Sequence, residues 1–411
     1  MGAPRSRLPL LFLTVFIDLL GFGMVIPILP LYAREFGTGE VMNGFLIGIY
    51  SFMQLLAAPL LGRLSDRVGR RPVLMASLLG TALGFFLLGS AGSLLMLFVA
   101  RMVDGITGGT VITAQAYIAD VTPREDRAKA MGLIGVAFGL GFVFGPAIGG
   151  VMSHFSVEAP FYFAGAMALL NTVLVYVRLP ESLPPEARAP VDPSQEGVRA
   201  VFRHSRQLPR LLLSYFLVVT GFSIMTTNFA LFTLARFGYD EAKNGYLFAF
   251  IGVISVIVQG GILRRMLRRQ SERRVALVGA VFLTAGLALL PVSATLAMLL
   301  VMLAVIGTGN SLLTPTLTGL SSRMAAARWQ GRVMGLMQAA ASLARCIGPW
   351  VGGVLLSVDV GNRAGYGQTP FWAGAALIVL AFFGIAALPD RPEAGGGAAE
   401  PHQAMSGGSG S

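Results

Sequence analysis

Asp18, Arg101 and Asp104 are the residues with which this chain could move charge. Of its 20 acids, only Asp18 and Asp104 fall inside long apolar segments. At ~1.5 Å of helix rise per residue, Asp18 lies about 15 Å from the start of its segment near Leu8, and Asp104 about as far from the start of its own near Leu94. An ionised side chain at such depth costs several kcal/mol unless it is paired, protonated or facing water. Arg101 precedes Asp104 by three residues, so the two project from one helical face, which Gly108, Ile112 and Gln115 continue. A permanently charged guanidinium can keep one carboxylate ionised while the other, desolvated, is left to take up and release a proton. The chemistry this predicts is proton carriage. The plainer alternative is a permanent ion pair tying helices together, which two acids sharing one cation leave incomplete.

A second cluster is the basic turn GRLSDRVGRRP, from Gly62 to Pro72. Gly62 is expected to end one helix and Pro72 to start the next, with Arg63, Arg67, Arg70 and Arg71 holding the turn on one side of a membrane. Asp66, among four arginines, reads either as surface charge balance or as half of a latch that another helix makes and breaks.

The elements that must position these groups are membrane spans. Hydrophobic residues make up 55% of the 411, charged residues 12%, and the mean hydropathy is +0.71, which excludes a water-soluble domain. Twelve spans of roughly 20 residues, enough to cross ~30 Å of hydrocarbon, are predicted near 8–32, 44–62, 73–91, 94–118, 128–152, 160–179, 209–234, 244–263, 275–291, 295–320, 331–357 and 370–388. The apolar stretch from Leu8 has no small-residue cleavage site after it and is taken as the first span. The net charge of +11 is explained by topology and not by nucleic acid. The loops on one side hold 25 of the 31 Lys and Arg residues, and those on the other hold Arg34, Arg236, Lys243 and Arg363. By the positive-inside rule both termini are cytoplasmic. The basic clusters at 264–274 and 199–210 then read as topology anchors, with anionic-lipid binding as the lesser option. Cys346 is the one cysteine, so no intrachain disulfide is expected. His154, His204 and His402 fall in loops or the tail, and there is no Cys/His cluster and no GK[ST] loop. Neither an enzyme nor a metal, nucleotide or other cofactor is therefore expected.

The chain divides into a six-helix bundle over 1–179, a Pro-rich and charged cytoplasmic linker over 180–208, a second six-helix bundle over 209–390 and a disordered tail over 391–411. The halves repeat. MGLIGVAFGLGFVFGPAIGG, from Met131, returns as MGLMQAAASLARCIGPWVGG, from Met334, with Gly145-Pro146 and Gly149-Gly150 mapping onto Gly348-Pro349 and Gly352-Gly353. The predicted fold is all-α, two pseudo-symmetric bundles about an axis along the membrane normal. A degenerate copy of the basic turn, GILRRMLRR from Gly261, replaces the acid by Arg265 and keeps no latch.

These motifs, with RMVDGITGG from Arg101 and AYIADVTPREDRAKAMGL closing span four, resemble the major facilitator superfamily, and within it the twelve-span drug:proton antiporters that include tetracycline efflux pumps. The resemblance spans residues 8–390. It implies efflux from the bacterial cytoplasmic (inner) membrane, with a small-molecule substrate, protons and membrane lipids as partners and a monomeric state. It assigns proton coupling to Arg101, with Asp104 standing where the family usually has Gln. It assigns a conformational gate to Gly62, Asp66, Arg67, Arg70, Arg71 and Asp120, Asp66 bonding to the start of span eleven in the outward-open state. In span five it matches the antiporter motif at Gly135, Gly139, Gly141, Gly145, Pro146, Gly149 and Gly150. Small residues there allow close helix approach and Pro146 allows bending. With its copy at Gly335 to Gly353, span five is expected to form the moving seam between the halves.

The substrate cavity is expected between the halves at mid-depth. Candidate lining groups are Phe22, Tyr50, Gln54, Gln115, Phe138, Phe142, Phe222, Asn228, Phe229, Phe250, Asn310, Gln338 and Arg345, each with core packing as its alternative. Aromatics, amides and two acids suit amphipathic compounds, cationic ones included. Arg345 leaves a choice between pairing across the seam and meeting an anionic group. The expected function is a proton-coupled exporter working by alternating access. The alternatives are a lipid or lysolipid translocator and, in another class, a non-transporting membrane sensor or scaffold.

Overall fold

The computed structural model describes residues 8–123, 126–184, 202, 207–324, 330–362 and 365–389. Most of the predicted linker and all of the tail over 391–411 lie outside the described residues. Twelve helices are long and apolar enough to cross a membrane: Leu8–Phe36, Glu40–Val68, Arg70–Gly89, Leu94–Val121, Ala130–Met152, Ala159–Arg178, Leu208–Phe237, Glu241–Leu267, Glu272–Val292, Leu296–Met324, Arg332–Val358 and Gln368–Ala386. In hydrocarbon every backbone N–H and C=O must find a partner inside the segment, and the helix supplies it. The numbering of the spans follows this order.

Two local expectations are corrected. Span two does not end at Gly62; its helix continues to Val68 and stops at Gly69, whose φ of 111° is the conformation glycine adopts without strain. The N–H of Gly69 closes the last turn onto the Ser65 carbonyl, while Gly62 sits mid-helix with open space beside it. Span four is not continuous. It is two helices, Leu94–Thr107 and Thr110–Val121, parted at Gly108 and Gly109, so the face expected to run from Arg101 to Gln115 is interrupted. Adjacent glycines weaken the helix there, and the Thr107 hydroxyl donates to the carbonyls of Val103 and Asp104, drawing hydrogen bonding back into the first helix.

Each half has its own apolar core. In the first, Leu11, Met24, Ile28, Leu78, Leu97 and Phe161 are fully or almost fully buried; in the second, Phe229, Phe232, Leu283, Leu303 and Phe371. The halves meet along two seams related by the sequence repeat. Span five packs on span eight, and span eleven packs on span two, so spans five and eleven lie in separate seams and not in one. Gly145 rests on Leu20 and Gly23 of span one, as its copy Gly348 rests on Thr220 and Ser223 of span seven. One step further along, Gly150 crosses to Ala242 and Gly245, and its copy Gly353 crosses to Glu40 and Gly44. Backbone meets backbone at these points, which only small residues permit.

Among the described residues the seams draw together at one face. Cross-half contacts run from Val143 on Gly252 up to Gly150 on Gly245, and Leu31 packs with Ala230, Leu231 and Leu356. At the tip, Tyr366 donates to Glu40 Oε1 over 3.1 Å, and His154 lies 3.3 Å from the Tyr246 hydroxyl. Towards the opposite face, which carries the basic turn, a methyl placed at Gly132, Gly135, Gly139 or Gly335 would meet no atom within 4 Å beyond its own stretch of helix. Among the described residues, the contacts between the halves named here thus gather towards the face away from the arginines.

Candidate functional site

At mid-depth the first half gathers its charges as the sequence suggested, but divides them unequally. Arg101 Nη1 donates to Asp104 Oδ2 over 3.2 Å, both side chains being almost wholly buried. The guanidinium also lies over the Tyr50 ring, 4.4 Å from its centroid. Arg101 and Asp104 therefore form a buried ion pair, stacked on a neighbouring ring. Asp18 stands apart from it. Its described hydrogen-bond partner is the Thr110 hydroxyl, 3.1 Å from Oδ1, at the first residue of the second helix of span four. The break at Gly108 and Gly109 is what brings an N-terminal helix end to Asp18, and free N–H groups there favour a negative charge. Asp18 is only half-buried and close enough to Asp104 for the two charges to repel.

Aromatic and amide groups surround this pair of sites. Phe22 lies 5.5 Å from Tyr50 and 6.0 Å from Phe142, ring centre to ring centre. Gln54 donates to the Tyr50 hydroxyl and to the Gly108 carbonyl, bridging span two to the broken point of span four. Phe22, Tyr50, Gln54 and Phe142 thus come together. Gln115, Gln338 and Asn310 are half-buried, Asn310 accepting from Thr314. Phe138 packs against the first core and Phe222 and Phe250 against the second, each partly exposed. Two candidates are corrected. Phe229 is fully buried against Phe248, and Asn228 is 1% exposed, bonded to Ile224 of its own helix and wedged against Gly352. Side chains with no exposed surface cannot line a cavity, and both belong to helix packing.

The basic turn is organised around Arg70 more than around Asp66. Arg70 Nε donates to Asp120 Oδ2 over 3.0 Å, and its Nη1 donates to Asp66 Oδ1 over 2.5 Å and to the Ser65 hydroxyl over 2.7 Å. The backbone N–H groups of Arg70 and Arg71 donate to the Glu181 carboxylate, which caps span three from beyond span six. Arg71 bonds the Tyr176 carbonyl and lies over its ring, and Arg67 is exposed. All these contacts lie within the first half; residues 325–329, ahead of span eleven, are outside the described set.

Sequence reasoning missed Thr110, Glu181 and the Glu40–Tyr366 bond. A threonine directly after two glycines in an apolar run was a readable signal for the first. The other two depend on which loops meet in space, which no local pattern carries.

With that geometry in hand, the comparisons are specific. The model of the Major Facilitator Superfamily matches residues 11–349 and again 273–405, and the chain belongs to that family. It is 33% identical to the class E tetracycline resistance protein of Escherichia coli over 380 residues, covering 90% of this chain and 93% of that one. To multidrug resistance protein 2 of Bacillus subtilis it is 28% identical over 374 residues, 89% and 91% of the two chains. The solved structure of the human organic anion transporter MFSD10 superposes with a TM-score of 0.70 at 27% identity, over 94% of this chain and all of that one. A bacterial homologue of the lysosomal transporter Spinster gives 0.77 at 16% identity, a likeness of fold. The protein is a multi-pass membrane transporter of small molecules.

Proposed function

We propose that the chain is a proton-coupled antiporter that exports amphipathic drugs or similar compounds, with Asp18 as the proton carrier. The observation that carries this reading is the division of labour at mid-depth: Arg101 neutralises Asp104, and Asp18 has a threonine hydroxyl instead of a cation. A carboxylate so held can exchange a proton for a cationic group of the substrate, and this competition for one negative charge is the coupling. The printed names of the relatives, tetracycline and multidrug resistance proteins, support a drug as cargo.

Orientation follows from the charge asymmetry: the face with the arginines is cytoplasmic and the shut face external. In the state open to the cytoplasm Asp18 releases its proton there and accepts substrate. Rocking of the halves then exposes it outside, where a proton displaces the cargo. The chain acts as a monomer in the bacterial cytoplasmic membrane.

Liposomes reconstituted with purified protein test this. An inward-directed proton gradient should drive uphill movement of tetracycline or a cationic dye, and Asp18→Asn should abolish uphill movement while leaving downhill exchange partly alive. Uphill transport by Asp18→Asn at the native rate would exclude Asp18 as the carrier.

A further inference from the structure

The cycle above leaves one mid-depth charge without a task. Arg345 lies in span eleven, the helix that packs on span two of the other half and on span seven of its own. Its Nη2 reaches the Ser342 hydroxyl at 3.4 Å, a long bond, and no carboxylate of the described residues lies within ion-pair distance of it. The groups that interact with it electrostatically are the hydroxyls of Tyr215, from span seven, and Tyr50, from span two. Leu343, two positions away, is exposed on the outer surface of the helix, whereas Arg345 is half-buried on the side that carries the two tyrosines.

Tyr50 links this arginine to the proton site. Its ring supports Arg101, and Asp18, Asp104, Arg101 and Arg345 all act on its hydroxyl. The four charges therefore all act on one side chain, two of each sign, and sum to zero when both acids are ionised. Within that sum the pairs are not equivalent. Asp104 is matched by Arg101 at bonding distance, while Asp18 and Arg345 stand on opposite halves, each held by neutral hydroxyls. A tyrosine O–H can share a hydrogen bond with a guanidinium but cannot neutralise it, and the fork of N–H donors suits the paired oxygens of an acid.

We propose that Arg345 anchors an acidic group of the transported molecule, a carboxylate, phosphate or sulfonate, so that the substrate class is a zwitterionic amphiphile. The cation sits at Asp18 in the first half and the acid at Arg345 in the second. A zwitterion leaves the charge sum at zero, whereas a simple cation leaves Arg345 uncompensated in a medium of low dielectric. Bridging the halves also gives the substrate contacts in both, which a molecule that biases the rocking motion needs. The inference extends the exporter reading to its cargo and rests on it for the role of Asp18.

Rhodamine B and its ethyl ester provide the test, since both carry the same cationic xanthene and only the former has a free carboxylate. Binding is read by fluorescence anisotropy with the protein in phosphatidylcholine nanodiscs at neutral pH. Wild type should bind the acid at least about tenfold more tightly than the ester, in keeping with a charge-assisted pair withdrawn from water. Arg345→Gln should erase that preference, the ester's affinity moving far less and reporting an intact fold, and Arg345→Lys should restore part of it. Equal binding of the two probes by wild type, failure of the acid to bind, or an equal loss of both in Arg345→Gln overturns the proposal. Adding phosphatidylglycerol to the nanodiscs separates the two sources of an acid. Unchanged affinity for rhodamine B retains the soluble amphiphile as occupant, while an Arg345-dependent fall transfers the site to a lipid headgroup and overturns the zwitterionic substrate. Asp18→Asn is scored on its own: if it weakens neither probe, the carrier role of Asp18 fails while the Arg345 preference stands.

Discussion

A carboxylate bonded to a hydroxyl keeps a freedom that one bonded to a guanidinium has lost, and Asp18 and Asp104 divide on this line. The consequence is a pH dependence with a definite sign. Protonation of Asp18 removes the negative charge that a cationic ligand needs, so affinity for a cationic dye should fall as pH is lowered and rise as it is raised. Asp18→Asn should bind more weakly and with a flat profile, measured by dye titration between pH 5 and 9, a range spanning about two units on either side of neutrality. Asp104 should behave differently, because its partner never titrates. Removing that partner by Arg101→Ala leaves a buried carboxylate uncompensated, at a cost of about 3–5 kcal/mol, which thermal unfolding in detergent should show as a clear loss of folded protein. Arg101→Lys should recover charge but not the stacking on Tyr50, and so only part of the stability.

Among the elements, the spans themselves were legible because twenty apolar residues in a row admit few alternatives to a helix in lipid. The charge bias, the repeat and the pairing of Arg101 with Asp104 were legible for similar reasons, each being local or additive along the chain. The break in span four was not. A glycine pair inside an apolar run is as compatible with a packed helix as with an interrupted one, and the difference lies in Thr110 finding its partner, Asp18, in space. Phe229 and Asn228 were misplaced because span seven is apolar around much of its circumference, so periodicity does not say which side faces the cavity. The partner of span five was beyond reach too, since the sequence repeat relates span five to span eleven without saying that the two-fold axis sends them to different seams. That crossing yields a test. A methyl at Gly245 would lie 2.6 Å from both the Pro146 carbonyl oxygen and the Gly150 Cα, closer than packed atoms approach. Gly245→Val should therefore wedge spans five and eight apart, and spin-label distances across the shut face should lengthen relative to wild type. An unchanged distance distribution would mean that this contact does not hold the face closed.

For the whole molecule, the two faces are built by different means. The arginine-bearing face has a charged network that, among the described residues, lies within the first half, from Asp66 through Arg70 to Asp120, with Glu181 capping span three. The other face has small-residue contacts and, among the described residues, a cross-half hydrogen bond to a carboxylate, Tyr366 to Glu40. Tyr366→Phe deletes that bond at a cost of about 1.5–3 kcal/mol to the shut arrangement, so the population open at that face should rise by roughly tenfold or more in the same distance measurements. Cys346 sits within this seam. It is 2% exposed, and its carbonyl oxygen would lie 2.8 Å from a methyl on Gly48 of the other half. As the chain's single cysteine, it makes the unmodified protein its own timekeeper. Because the residue is buried, a thiol reagent reaches the sulfur only when the structure around span eleven opens, so the alkylation rate equals the opening equilibrium constant multiplied by the rate of a free thiol. Substrate, proton gradient and gate mutations then all become readable as changes in one chemical half-life, with no label introduced.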